Sequence, residues 1–146
     1  MIKILNRYTG KVIYEGEGTI KDVVERAVKE EISLAGADLS GAPLSGVCLM
    51  QADLRGANLK GANLKDTVLV CAILELADLI YSDLEDAKLT GANLKGANLS
   101  DANLSGADLR VVDLEGANLK NVNLSDANLK NTDLSDANLK GVKWKN

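Results

Sequence analysis

The chemistry open to this chain is bounded first by what its 146 residues lack, because there is no histidine among them. Ser-His and Cys-His nucleophile pairs therefore cannot be assembled, and the common zinc-ligand sets shrink to two cysteines, Cys48 and Cys71. No glycine-rich phosphate loop is present. Carboxylates are plentiful, and the densest group, Asp66, Asp86 and Asp126 with Asp83 and Glu85 alongside, has the charge to hold a cation or imitate a run of phosphates. Lys65 lies beside that group and Gly106 interrupts it, so a solvated turn is the simpler reading and no metal or cofactor is assigned. With no catalytic set to build on, the sequence reads as a non-enzyme.

Charge narrows the partners. The chain carries 17 basic and 21 acidic residues, a net charge of −4, and has no basic cluster to neutralise phosphates, so direct nucleic-acid binding is not expected. Nothing approaches the roughly 20 apolar residues of a membrane-spanning helix. The opening "MIKILNRYTGKVIYEGEG" has charges where a signal peptide needs an apolar core. A soluble, cytoplasmic protein with free thiols is the expectation. The composition itself is biased: no Phe, one Trp, one Pro and three Tyr against abundant Leu, Ala, Asn and Asp, which is the mark of a repeat.

The elements that would position any site follow from a five-residue register. Written in fives from Ile32, the chain reads "ISLAG ADLSG APLSG VCLMQ ADLRG ANLKG" and onward to "VKWKN" without a slip. The third place is Leu in the first 22 units, Leu34 to Leu139, and Trp144 in the last. The first place is small in 22 of the 23 units, and the second is Asn or Asp in 16 of the 22 that carry Leu. A helix would space its apolar residues near 3.6 apart, and a strand would alternate without interruption. A period of five instead fits a chain that runs straight for about three residues and then turns a corner. The small residue and the Leu share the inner side, the Asn or Asp between them points out, and Gly, Asn and Asp make the corner. Four units close a square coil of 20 residues, and stacked coils pair backbone to backbone.

The pattern strongly resembles the pentapeptide-repeat family, whose units read A-(D/N)-L-x-x. The resemblance implies an all-β solenoid, a right-handed quadrilateral β-helix of about 5.75 coils over residues 32–146. Four Leu walls result, starting at Leu34, Leu39, Leu44 and Leu49. On the first, Arg55, Glu75, Lys95 and Glu115 alternate in sign and are expected to stack as exposed charge pairs.

Residues 1–31 read as an N-terminal β-hairpin plus a capping α-helix. "IKILNRY" and "KVIYE" flank Thr9-Gly10, and Ile20, Val23, Val24, Ala27, Val28 and Ile32 then recur at helical spacing. Thr19 and Asp22 have the spacing of a capping box. An apolar stripe here would seal the open end of the first coil. At the other end Trp144 would either plug the last coil or seat a second copy.

One stretch departs from the repeat on its outer side. In "VLVCAILELADLIY", residues 68–81, the core positions hold, while Val68, Val70, Cys71, Ile73, Leu76, Ile80 and Tyr81 occupy sites that elsewhere carry Asn, Lys or Gly. Cys48 and Met50 add to this surface from the coil before. Such an apolar patch is expected to have a partner: the hairpin folded down over coils two and three, a second copy forming a homodimer by this wall or by the Trp144 end, or a foreign protein. Cys48 and Cys71 are offset by about three residues, roughly 10 Å at strand rise, so no bond between them is expected.

The family resemblance implies a structural or protein-interaction module. It also implies an alternative, since some members resemble duplex DNA, bind DNA gyrase and protect it from quinolones. Such members often carry Phe at the central place and are strongly acidic. Here there is no Phe, and the repeats hold 11 basic and 15 acidic residues.

Overall fold

The computed structural model describes residues 1–145. Strand β1, Ile2–Leu5, pairs antiparallel with β2, Val12–Gly16, with an irregularity between Ile4 and Leu5. Helix α1, Ile20–Lys29, begins at Thr19, whose side chain accepts from the Asp22 amide while the Asp22 carboxylate accepts from the Thr19 amide. That reciprocal pair satisfies donors a helix start leaves open. Val23, Val24 and Ala27 on one face of α1 are buried, as is Ile4 of β1. The cap therefore shares one core with the first coil.

From Asp38 onward each coil takes 20 residues: Asp38 lies beside Asn58, Asn58 beside Asp78, and so on in parallel to Asn123 beside Lys143. One unit shows the bonding. Leu94 donates to the Asp113 carbonyl at 2.7 Å, Gly96 donates to Glu115 at 2.9 Å, and Asn93 donates back to Ala72 at 2.9 Å. The corner closes when the Ala97 amide donates to the Leu94 carbonyl at 3.0 Å, a four-residue turn whose third residue has positive φ. Inside, the Leu and Ala columns are buried. Where Thr67 and Ser82 replace Ala, their buried hydroxyls donate to the Leu64 and Leu79 carbonyls at 2.6 and 2.7 Å, so no polar group is stranded.

A first coil has no neighbour above it, and three of its walls meet the open amide position in different ways. On the second wall Asp38 donates to Leu5 of the hairpin at 2.8 Å. On the third wall Pro43 has no amide to leave open. On the fourth, Cys48 donates to the Glu25 carboxylate of α1 at 3.1 Å. The far end is different: Leu134 and Ala137 are only half-buried, and Trp144 is 49% exposed.

Candidate functional site

The outer surface is built by the corners. Every fifth residue from Gly36 to Gly141 has positive φ. Most of these corners hold Gly, Asp or Asn, which tolerate the left-handed region; Cys71, Leu76, Tyr81 and Val111 are the apolar exceptions. An L-residue there carries roughly 1–2 kcal/mol of steric cost, and a β-branched side chain such as Val111 is the least suited. The usual Asn or Asp also supports its own corner by accepting from the amide two residues on, as Asn93 does from Lys95 at 3.0 Å and Asn103 from Ser105 at 3.1 Å. Val68 and Ile73 offer no such acceptor. The units of Val68 and Ile73, which end at Cys71 and Leu76, thus give up two local stabilising devices together, whereas Asp78 still accepts from Ile80 at 3.2 Å.

The predicted contact residues are placed as follows. Leu76, Tyr81, Met50 and Ile73 are exposed, Leu76 by 67% and Tyr81 by 63%. Cys48 and Cys71 are exposed free thiols. Val68, Val70 and Ile80 are half-buried. They do not form one surface. Met50, Val70, Cys71 and Ile73 share the corner between the fourth and first walls, Leu76 stands on the next corner and Tyr81 on the one after. The Leu76 side chain lies over Gly96, where a Cβ would meet its Cδ2 at 2.8 Å, and the Cys71 sulfur lies over Gly91.

The hairpin does not cover the wall of Leu49 and Leu69, contrary to that expectation. Asn6 pairs antiparallel with Ala37, Arg7 donates to Gly36 at 2.8 Å, and the Tyr8 hydroxyl donates to Gly56 at 3.2 Å. Arg7 also reaches Asp78 at 4.0 Å and stacks its guanidinium on the Tyr8 ring. These backbone bonds hold the hairpin on the corner between the first and second walls, where Gly36 and Gly56 leave room. Between it and Leu76 lies an open cleft of about 410 Å³, lined by Tyr8, Arg55 and Glu75.

One member of the apolar corner was not legible as such from the run 68–81. Val111 sits two coils below Cys71 in the same column and is 59% exposed. Reading the fifth place of each unit in steps of twenty, Gln51, Cys71, Gly91, Val111, Asn131, is the signal that finds it. At the head of this column a cleft of about 440 Å³ opens between the end of α1 and the first coils, with Val28, Ile32 and Met50 among its walls.

Several of the charges around these corners are paired. Arg110 grips Asp108 with two bonds of 2.6 and 2.8 Å, and that guanidinium lowers the Asp108 carboxyl to about 2. Arg55 grips Asp53 in the same way at 2.7 and 2.8 Å, holding its carboxyl well below the usual carboxylate range. The expected stack on the first wall forms between Lys95 and Glu115, at 3.1 Å, whereas Arg55 turns back to Asp53 instead. Asp66, Asp86 and Asp126 each occupy a left-handed corner, and Lys65 reaches Glu85 at 3.2 Å. The tightest acidic group among the described residues is Asp113, Glu115 and Asp133, whose carboxylate oxygens lie within 4.8 Å of one another. Lys95 is the cation beside it.

A parallel stack of five-residue turns around Leu and Ala columns defines a repeat solenoid, and the comparisons agree. A model of pentapeptide repeats matches in eight copies, in segments running from residue 30 to 143. The chain belongs to the pentapeptide-repeat family. Among solved structures, alr5209 of Nostoc PCC 7120, a pentapeptide repeat protein, is 38% identical over 60% of this chain and 84% of its own, with a TM-score of 0.54. HetL from the cyanobacterium Nostoc PCC 7120, a pentapeptide repeat protein involved in heterocyst differentiation regulation, is 37% identical over 75% of this chain, with a TM-score of 0.45. This chain spans 60% of the HetL chain. QnrB1, a plasmid-mediated fluoroquinolone resistance protein, is 21% identical over 75% of this chain and 78% of its own, with a TM-score of 0.38. No curated protein sequence matches.

Proposed function

We propose that the chain is a non-catalytic protein-interaction module whose contact surface is the corner carrying Met50, Val70, Cys71, Ile73 and Val111. The observation that carries this reading is the pair Cys71 and Val111, which hold a left-handed backbone at exposed positions. Burial in the core does not offset that cost. The backbone ladder holds such strain in place, and an exposed apolar side chain presented by it is the kind of feature that contact with another molecule makes use of. The corner also borders the cleft beside Ile32 and Met50, so apolar surface extends past a single coil.

Gyrase protection gains no support from the surface. A repeat region of 11 basic and 15 acidic residues, with Arg55, Arg110, Lys65 and Lys95 paired to acids, is too balanced to imitate a phosphate rod.

The test is a photo-crosslinking side chain placed at residue 111 and, as a control, at residue 121, also a left-handed corner. In cells, position 111 should give a protein crosslink and position 121 none. Equal yields at the two positions, or none at either, would overturn the reading.

A further inference from the structure

The corner between the fourth and first walls is a stack of layers, and each layer shows two outward side chains that flank the corner residue. Going down the solenoid, the flanking pairs are Met50 and Asp53, Val70 and Ile73, Thr90 and Asn93, Arg110 and Asp113, Lys130 and Asp133. The corner residues between them are Gln51, Cys71, Gly91, Val111 and Asn131. From the second layer on, each pair is self-complementary: apolar with apolar, hydroxyl with amide, and twice cation with carboxylate.

We propose that this corner binds a second copy of the same chain, side by side and parallel, about a two-fold axis along the solenoid. This rests on the reading of the corner as a contact surface and names its occupant. Such an axis keeps each layer at its own height and sets the fourth-wall residue of one copy against the first-wall residue of the other. Val70 then meets Ile73 of the other copy, Thr90 meets Asn93, Arg110 meets Asp113, and Lys130 meets Asp133, while Cys71 and Val111 each face their own counterpart. An antiparallel pairing centred on Gly91 does the opposite. It puts Val70 against Arg110, Ile73 against Asp113 and Asp53 against Asp133, burying charge on apolar groups and like on like.

The local electrostatics favour the same occupant. Asp113, Glu115 and Asp133 crowd their oxygens within 4.8 Å, and Lys95 bonds only Glu115 of the three. Arg110 gives Asp108 its Nε and one terminal nitrogen, which leaves the other terminal nitrogen's donors for a second carboxylate. Lys130 is exposed. A neighbouring copy thus supplies the cations that the acidic group lacks.

The contact is narrow. Five layers at the roughly 4.8 Å strand spacing make a strip on the order of 20 Å tall, well short of the about 800 Å² per partner of a standard interface. The dimer is accordingly weak and concentration-dependent, with a rim sensitive to salt.

Sedimentation velocity of the full chain from about 10 µM to about 1 mM is the first measurement. The weight-average mass should climb from 15.4 kDa toward twice that value, and less steeply in high salt. Lys130→Glu should hold it at the monomer, and Lys130→Glu combined with Asp133→Lys should restore the climb, because the reversed charges meet across copies. In the second measurement a short bis-maleimide is added: Cys48→Ser should still give a crosslinked dimer through Cys71, and Cys71→Ser should not. A monomer at every concentration overturns the proposal, as does a dimer insensitive to the charge swap or crosslinked equally through Cys48. A residue-111 photo-crosslink to a protein of a different mass would then leave the interaction reading standing and remove only the second copy.

Discussion

Leu94 lies in the middle of the first-wall column and is 1% exposed, with Leu74 above it and Leu114 below, both fully buried. Leu94→Ala removes three carbons. At about 0.8 kcal/mol per buried methylene the transfer loss alone is near 2.4 kcal/mol. The cavity adds to this because the coils cannot collapse around it. Leu94 is pinned to Asp113 at 2.7 Å, Gly96 to Glu115 at 2.9 Å and Leu74 to Asn93 at 2.7 Å, so the backbone spacing is set by the ladder and not by the side chain. The expected cost is about 3–5 kcal/mol, in the upper part of the range for buried Leu→Ala changes. Leu134, in the same column of the last coil, is only half-buried and should lose about 1–2 kcal/mol. Guanidinium unfolding of both variants, followed by far-UV circular dichroism, measures the difference. Equal costs, or a Leu94→Ala cost below about 1 kcal/mol, would refute the picture of a stack whose interior cannot relax.

Other outcomes follow from the same geometry. Gly96→Ala should lower the midpoint of unfolding, since the new methyl meets Leu76 Cδ2 at 2.8 Å and must hold φ of +67°; adding Leu76→Ala should recover only the steric part, and full recovery would show that the backbone carries no strain. Asp108 has its carboxyl lowered to about 2 by Arg110, so it contributes stability above the ordinary carboxylate value near 4, and this is lost as pH falls toward 2. Arg110→Met should therefore remove part of the acid sensitivity of unfolding in that window while leaving the profile above pH 5 unchanged in shape. In a supercoiling assay, micromolar protein should leave DNA gyrase uninhibited; inhibition would revive the mimicry alternative.

The five-residue register made the stack legible from sequence because the physics is local and repeated. A small residue and Leu two apart face inward, and a corner every fifth residue demands Gly, Asn or Asp. The outward reading of Cys71, Leu76 and Tyr81 was legible for the same reason, since each breaks a column. The hairpin's path was not. Its place is set by Tyr8 reaching Gly56 and by Asp38 donating to Leu5, contacts across long stretches of sequence that no local pattern encodes. Val111 is not legible from its neighbours in the chain, which are ordinary; only a column taken in steps of twenty sets it beside Cys71. The layer-by-layer match of Arg110 with Asp113 likewise needs the corner, because in the linear sequence these residues read as scattered surface charge.

If exposed apolar corners cost the fold and serve contact, Val111→Asn should show both in two readings from one sample. Asn tolerates φ near +59° and already fills the same column one coil below, at Asn131. The variant should unfold at a higher temperature than the parent, by the equivalent of about 0.5–1 kcal/mol, while its association at high concentration weakens. A variant that melts lower than the parent, with association unchanged, would mean that Val111 serves the fold and not contact.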